Sequence, residues 1–218
     1  IDHRLRQLDF RAPEAEGAYP NLGMPIAAVD QLEGVLVIGS NLRHEMPLLA
    51  HRIRQAAVKG AAKVAFLNPR VFEYLFPVAA YGLAERDLAG DLAAVVQAAA
   101  AAAGKPVPAG LNGAAVTDDH RAVAAVLSAG SRRAVILGNL AQRHPAYAEL
   151  KWLGGLLASL TGARLALLYY GDGMQYDARG PGIVELAASR PQAAEGAAVE
   201  ARRPDGAPAV RLKSGGLV

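Results

Sequence analysis

Cysteine is absent from the 218 residues. Its absence excludes disulfides, thiolate zinc sites, cysteine nucleophiles and any iron-sulfur cluster held by these residues. An excess of charge of one sign is lacking too: 23 Lys and Arg stand against 20 Asp and Glu, a formal net charge of +3. That balance does not make the basic footprint of a nucleic-acid binder, so no nucleic-acid partner is expected. No apolar run reaches the roughly 18 residues that a bilayer-crossing helix needs, because a charged residue or a histidine interrupts each one. Direct membrane insertion is therefore not expected. The chain opens at Ile1 with neither an initiator Met nor a charged-then-apolar leader, and is expected to be a piece of a longer protein.

Apolar residues are plentiful. Hydrophobic side chains make up 52% of the chain and charged ones 20%, the balance of a chain that buries a core. The length suits about one domain with an appendage. Residues 1–33 read as a lead-in: the first 25 are punctuated by Pro and Gly without sustained period, and Ile26, Val29 and Leu32 then give one or two helical turns. Residues 34–170 carry the regular pattern. Val35 to Ile38 and Lys63 to Asn68 are short aliphatic runs of the kind buried on both faces of a parallel sheet, and a helical stripe from His44 to Lys59 links them. An alanine-rich helix is expected over 91–103, a helix capped by Thr117 through Leu127, and a third strand over 134–137. A helix opened by Pro145 and stopped at Gly162 leads to a fourth strand over 165–170. Residues 171–218 form a Gly/Ala/Pro-rich tail, packed on something else or mobile, with a weak strand signal at Ala209 to Leu212. The expected fold class is α/β, in three layers, with a mostly parallel sheet of about four strands and helices on both faces.

Two turns stand out. The first strand ends in Gly39-Ser40-Asn41 and the third in Gly138-Asn139, and each reaches its helix through a His and a Pro: His44 then Pro47, and His144 then Pro145. Turns at the C-terminal edge of a parallel sheet aim backbone N–H groups at the crevice where such folds bind ligands. Gly39, Ser40, Asn41, Asn68, Gly138 and Asn139 are thus the candidate cofactor-binding residues. The commoner role of Gly and Asn at such places is to supply turn conformations and helix caps. The dinucleotide fingerprint fails because the second and third glycines are missing after Gly39, and no phosphate-binding Walker sequence occurs. Asn68 stands where a ribose-binding acid would be expected, and an amide accepts from a diol less strongly than a carboxylate does.

No other constellation supports chemistry. His3, His44, His51, His120 and His144 lack metal-ligand spacing, so surface or capping roles are expected and no metal ligands are assigned. Ser40, Ser128 and Ser159 lack a nucleophile elbow. Asp118 and Asp119 suit a helix N-terminus, and Arg43, Arg52 and Arg54 suit a solvated helix face. Trp152 suits an interface. No catalytic residue is assigned.

The run GVLVIGSNLRHEMPLLAHRIRQAAVKGAAKVAFLNPR (34–70) resembles the molybdopterin oxidoreductase family, and within it the large iron-sulfur subunit of NADH-quinone oxidoreductase, respiratory complex I. DHRLRQLDF (2–10) and AVILGNLAQRHPAYAELKWLGGLLASLTGAR (134–164) agree with it. The resemblance implies a Rossmann-like, formate dehydrogenase-like domain. It implies a cluster-free scaffold in the peripheral arm of that electron-transfer complex, with iron-sulfur clusters in a Cys-rich N-terminal part outside these residues and no cofactor within them. The implied partners are other domains of the same subunit and other peripheral-arm subunits, on the cytoplasmic side of the bacterial inner membrane. In active molybdenum relatives a strand-Gly-x-Asn turn and an Asp-Pro-Arg at the end of strand two contact the pterin nucleotide. Gly39, Asn41, Pro69 and Arg70 keep that outline, and Asn68 departs from it. The rival expectation is a domain of an active molybdopterin-dependent enzyme that binds a pterin nucleotide at the Gly39 turn.

Overall fold

A computed structural model describes residues 22–60, 62–107, 110–111 and 114–167. The first 21 residues of the lead-in, the end of the fourth expected strand and the whole tail, including the strand signal at 209–212, lie outside the described residues.

The described residues form one parallel sheet, β1 (Gly34–Ile38), β2 (Lys63–Asn68), β3 (Ala80–Leu83), β4 (Arg133–Leu137) and β5 (Arg164–Leu167), in the order β3-β2-β1-β4-β5. The expected parallel α/β sheet is present, with five strands among the described residues where about four were expected. The additional one, β3, is a four-residue edge strand, AYGL, that is partly exposed and interrupted by a glycine. A strand so short, with Gly82 inside it, leaves little period-2 signal in the sequence. β1 pairs with β2 and with β4, so the strand order reverses at the β1/β4 border.

Alternate residues of the buried strands face opposite layers, as the two-residue repeat of a strand requires. Leu36, Ile38, Leu67, Val135 and Leu137 face a layer of α3 (Leu88–Ala102), α4 (Asp118–Val126) and α6 (Tyr147–Thr161). Val35, Val37, Val64, Phe66 and Ile136 face α2 (Pro47–Lys59) and a 3-10 helix at Ile26–Gln31. Leu22, Met24, Val29 and Leu32, which precede β1, are buried in this second layer. Each such side chain contributes about 1.5–3 kcal/mol when fully buried.

Helix limits follow local chemistry. The helix expected over 44–59 divides into α1 (Leu42–Glu45) and α2, because Pro47 has no N–H to continue the first and is placed at the start of the second. α3 begins ahead of Asp91 because the Asp87 side chain accepts the Gly90 N–H at 2.9 Å and caps it. Its alanines do more than favour helix: small side chains let it pack closely against both α4 and α6. Thr117 caps α4 as expected, but His120 completes the cap. The His120 ring accepts from the Thr117 N–H at 3.1 Å, while its other nitrogen lies 3.2 Å from Asp91 on α3. This near-buried histidine is a structural tie between two helices. The second half repeats the first, with α5 (Asn139–Gln142) ahead of Pro145 and α6 as α1 stands ahead of Pro47 and α2.

At the N-terminal edge of the sheet, Glu33 joins β1 to the segment before β4. Its carboxylate accepts from the Ser131 N–H at 2.7 Å and the Arg132 N–H at 2.9 Å. These backbone bonds, from Arg132 and then Ser131, hold its carboxyl below the ordinary 4.5. A carboxyl lowered in the folded state stabilises fully above its unfolded pKa, and that contribution disappears as pH falls through the lowered value. The urea midpoint of Glu33→Gln should therefore lie below that of the unsubstituted protein at neutral pH, and the gap should close as pH falls below 4.5. A gap independent of pH would contradict this role for Glu33.

Candidate functional site

The two turns singled out in the sequence meet at the C-terminal ends of β1 and β4, the border where the strand order reverses. Parallel strands end there with backbone N–H groups aimed past the sheet, and buried N–H groups need acceptors. Along these turns the acceptors belong to the chain itself. Gly39 N donates to Leu67 O at 2.9 Å, Gly138 N to Ile38 O at 2.9 Å and Ala141 N to Gly39 O at 3.0 Å. Ser40 N donates to Asn68 Oδ1 at 2.8 Å. Asn41 N donates to Glu45 Oε1 at 2.7 Å, and Asn139 N to Glu45 Oε2 at 2.9 Å.

Glu45 is the pivot. Besides the two backbone bonds it accepts from Ser40 Oγ at 2.7 Å, so one carboxylate, placed at the end of α1, holds both turns. Charge-assisted bonds of this kind are roughly twice as strong as neutral ones. The sequence reading passed over Glu45. The signal available was an acid one helical turn beyond a Gly-Ser-Asn turn, where a carboxylate can fold back onto free N–H groups.

Asn68 is fully buried at the end of β2. Its amide forms a two-way pair with Ser40, accepting from Ser40 N and donating to Ser40 O at 3.0 Å. It also donates to Tyr81 Oη at 3.2 Å, and Tyr81 Oη in turn donates to Arg70 O at 2.7 Å. An aspartate could accept from Ser40 but could not donate to its carbonyl. The amide of Asn68 thus has a structural use that a carboxylate would not serve. Tyr74 and Tyr81, also missed in the sequence, stack on Phe66 with ring centroids 4.1 and 5.8 Å away. Tyr74 Oη donates to Ser40 O at 3.4 Å. Burial pushes the Tyr74 phenol well above its ordinary value, and the nearby Tyr81 and Glu45 charges push the same way. It stays a neutral donor.

The glycines serve contact between the turns. Gly39 has φ +57°, and a Cβ there would sit 2.6 Å from Ala141 N. A Cβ on Gly138 would sit 2.2 Å from Ser40 Cβ. The space that glycine opens to a pyrophosphate in a dinucleotide fold is taken here by the opposite turn. The N–H donors of the two turns and the approach to Gly39 and Gly138 are taken up by Glu45, Asn68, Ala141 and Ser40. Ser40 is itself fully buried, so its hydroxyl cannot meet a substrate.

The other expected groups lie apart. Arg52 pairs with Asp30 at 2.7 Å and Arg54 donates to Leu75 O at 3.1 Å, so they are spent on local ties. Arg70 is exposed, its guanidinium 5.6 Å from the Phe72 ring centroid. His144 accepts from Ala146 N at 3.1 Å, a local contact in the segment just ahead of α6. Trp152 is 44% exposed on α6. Among the described residues, no group of three or more His, Asp or Glu is placed to hold a metal ion, and no helix is long and apolar enough to cross a membrane.

A single parallel sheet covered by helices on both sides, with paired turns at its reversal point, defines an α/β domain of the type found in molybdopterin oxidoreductases. The molybdopterin oxidoreductase family model matches residues 4–172, more than half of the chain, and the chain belongs to that family. No curated protein matches it. Among solved structures, the formyltransferase/hydrolase complex of Methylorubrum extorquens in complex with methylofuran is similar at 16% identity and a TM-score of 0.46. That match covers 72% of this chain and 41% of the other, so this chain spans less than half of that chain's length.

Asn68→Asp should cost roughly 1–3 kcal/mol of stability, since it removes a donor from the buried Ser40 carbonyl and buries a charge in its place. Urea unfolding measures this. A variant as stable as the unsubstituted protein would contradict the structural role assigned to the amide.

Proposed function

We propose that this chain is a cluster-free scaffold domain of the large iron-sulfur subunit of NADH-quinone oxidoreductase, standing in the peripheral arm of respiratory complex I. The observation that carries the reading is the closed crevice. A domain whose family binds a pterin nucleotide between these turns, but whose turns are bonded to each other, is suited to packing and not to cofactor chemistry. Family membership sets the wider class, an oxidoreductase family, and the stretches 2–10, 34–70 and 134–164 carry the resemblance to the complex I subunit.

On this reading electrons pass through iron-sulfur clusters held by a cysteine-rich part of the subunit outside these residues, and this domain holds no cofactor of its own. Its partners are the other domains of the subunit and neighbouring peripheral-arm subunits, on the cytoplasmic side of the bacterial inner membrane. Exposed apolar side chains such as Leu48 and Trp152 are of the kind that such contacts cover. The isolated chain would not oxidise NADH.

The test is purification of the tagged full-length protein from detergent-solubilised membranes of its own cells. It should bring down NADH-oxidising activity and the electron paramagnetic resonance signals of iron-sulfur clusters, with molybdenum and pterin fluorescence far below one per chain. One molybdenum and one pterin per chain would replace this reading with that of an active molybdopterin enzyme.

A further inference from the structure

A carboxylate bonded to two opposing turns at a reversal point does what a bound anion does in an open α/β fold: it supplies acceptors to N–H groups that the strand ends leave over. Glu45 is placed for this by its own short helix. Its Oε1 takes the Asn41 N–H of the first turn, and its Oε2 takes the Asn139 N–H of the second together with the Ser40 hydroxyl. Asn41 and Asn139 are 98 positions apart in sequence, and their N–H groups share the two oxygens of one side chain. The other N–H groups of the turns bond to carbonyls or to Asn68, and so stay satisfied without Glu45.

We propose that Glu45 is a built-in latch that closes the crevice between the Gly39 and Gly138 turns to anionic ligands, its carboxylate standing in for the anion. The latch goes beyond the scaffold assignment and does not depend on it, since it rests on bonds within this chain.

Removing the carboxylate frees two backbone donors and one hydroxyl that converge on a single gap. In Glu45→Ala, amide hydrogen exchange followed by NMR should quicken at Asn41 and Asn139 together, by about tenfold or more, while β1 and β4 keep their protection. Inorganic phosphate, compared with chloride at equal ionic strength, should then slow both amides again and raise the melting temperature of the variant saturably. The unsubstituted protein should show neither effect.

Unchanged exchange at the two amides, or quickened exchange that phosphate does not reverse, would overturn the latch. So would saturable phosphate shifts at Asn41 and Asn139 in the unsubstituted protein, because the crevice would then be open with Glu45 in place. If Glu45→Ala does not fold, Glu45→Gln keeps the length of the side chain but replaces one acceptor oxygen with a donor. One of the two amides should then exchange faster, and unchanged exchange at both would overturn the proposal. An activity assay is not needed to separate these outcomes, and the scaffold reading is tested apart from them, by the iron-sulfur clusters and NADH-oxidising activity that copurify with the full-length protein.

Discussion

Two parallel strands that end side by side leave their last N–H groups without partners, and how those groups are satisfied decides what this domain can do. In ligand-binding α/β folds the partner is a phosphate or another anion brought from outside. Here it is Glu45, shared by the two turns, with the Asn68 amide serving Ser40 and two carbonyls serving Gly39 and Gly138. The consequence spreads outward. With a side chain in place of a ligand, Gly39 and Gly138 are needed for close approach of turn to turn, Asn68 is needed as a donor as well as an acceptor, and Tyr74 closes over the Ser40 carbonyl.

Much of the frame was legible in the sequence because its signals are local. The aliphatic runs of β1, β2 and β4 are short and closed by Gly or by Asn-Pro, which marks them as buried strands, and Thr117, Pro47 and Gly162 mark helix limits by their own conformational chemistry. The pairing of the two turns was legible as well, from the repeated order of Gly, Asn, His and Pro. β3 was not legible, since a half-exposed edge strand carries little hydrophobic pattern. Nor was the start of α3, which depends on one capping aspartate.

The crevice was half legible. Its six candidate residues do come together at one sheet edge, but sequence spacing does not say whether converging N–H groups face a ligand or a side chain. In the structure they face side chains, and Glu45 and Tyr81 act there across gaps in sequence: Glu45 reaches Asn139, and Tyr81 ties Asn68 to Arg70. Asn68 illustrates the difference best. In the sequence it is a missing acid, a loss; in the structure it is an amide with both ends bonded, a replacement with its own function in the fold.

A family fold with its ligand crevice bonded shut suits a domain kept for its surfaces and its rigidity. The central claim, that the crevice is closed by the chain's own side chains, is tested most directly by isothermal titration calorimetry of the unsubstituted protein with a guanine nucleotide, the nucleotide portion of a pterin dinucleotide. The account predicts no heat beyond dilution at millimolar ligand. Saturable binding that shifts the amide resonances of Ser40, Asn41 and Asn139 would contradict it.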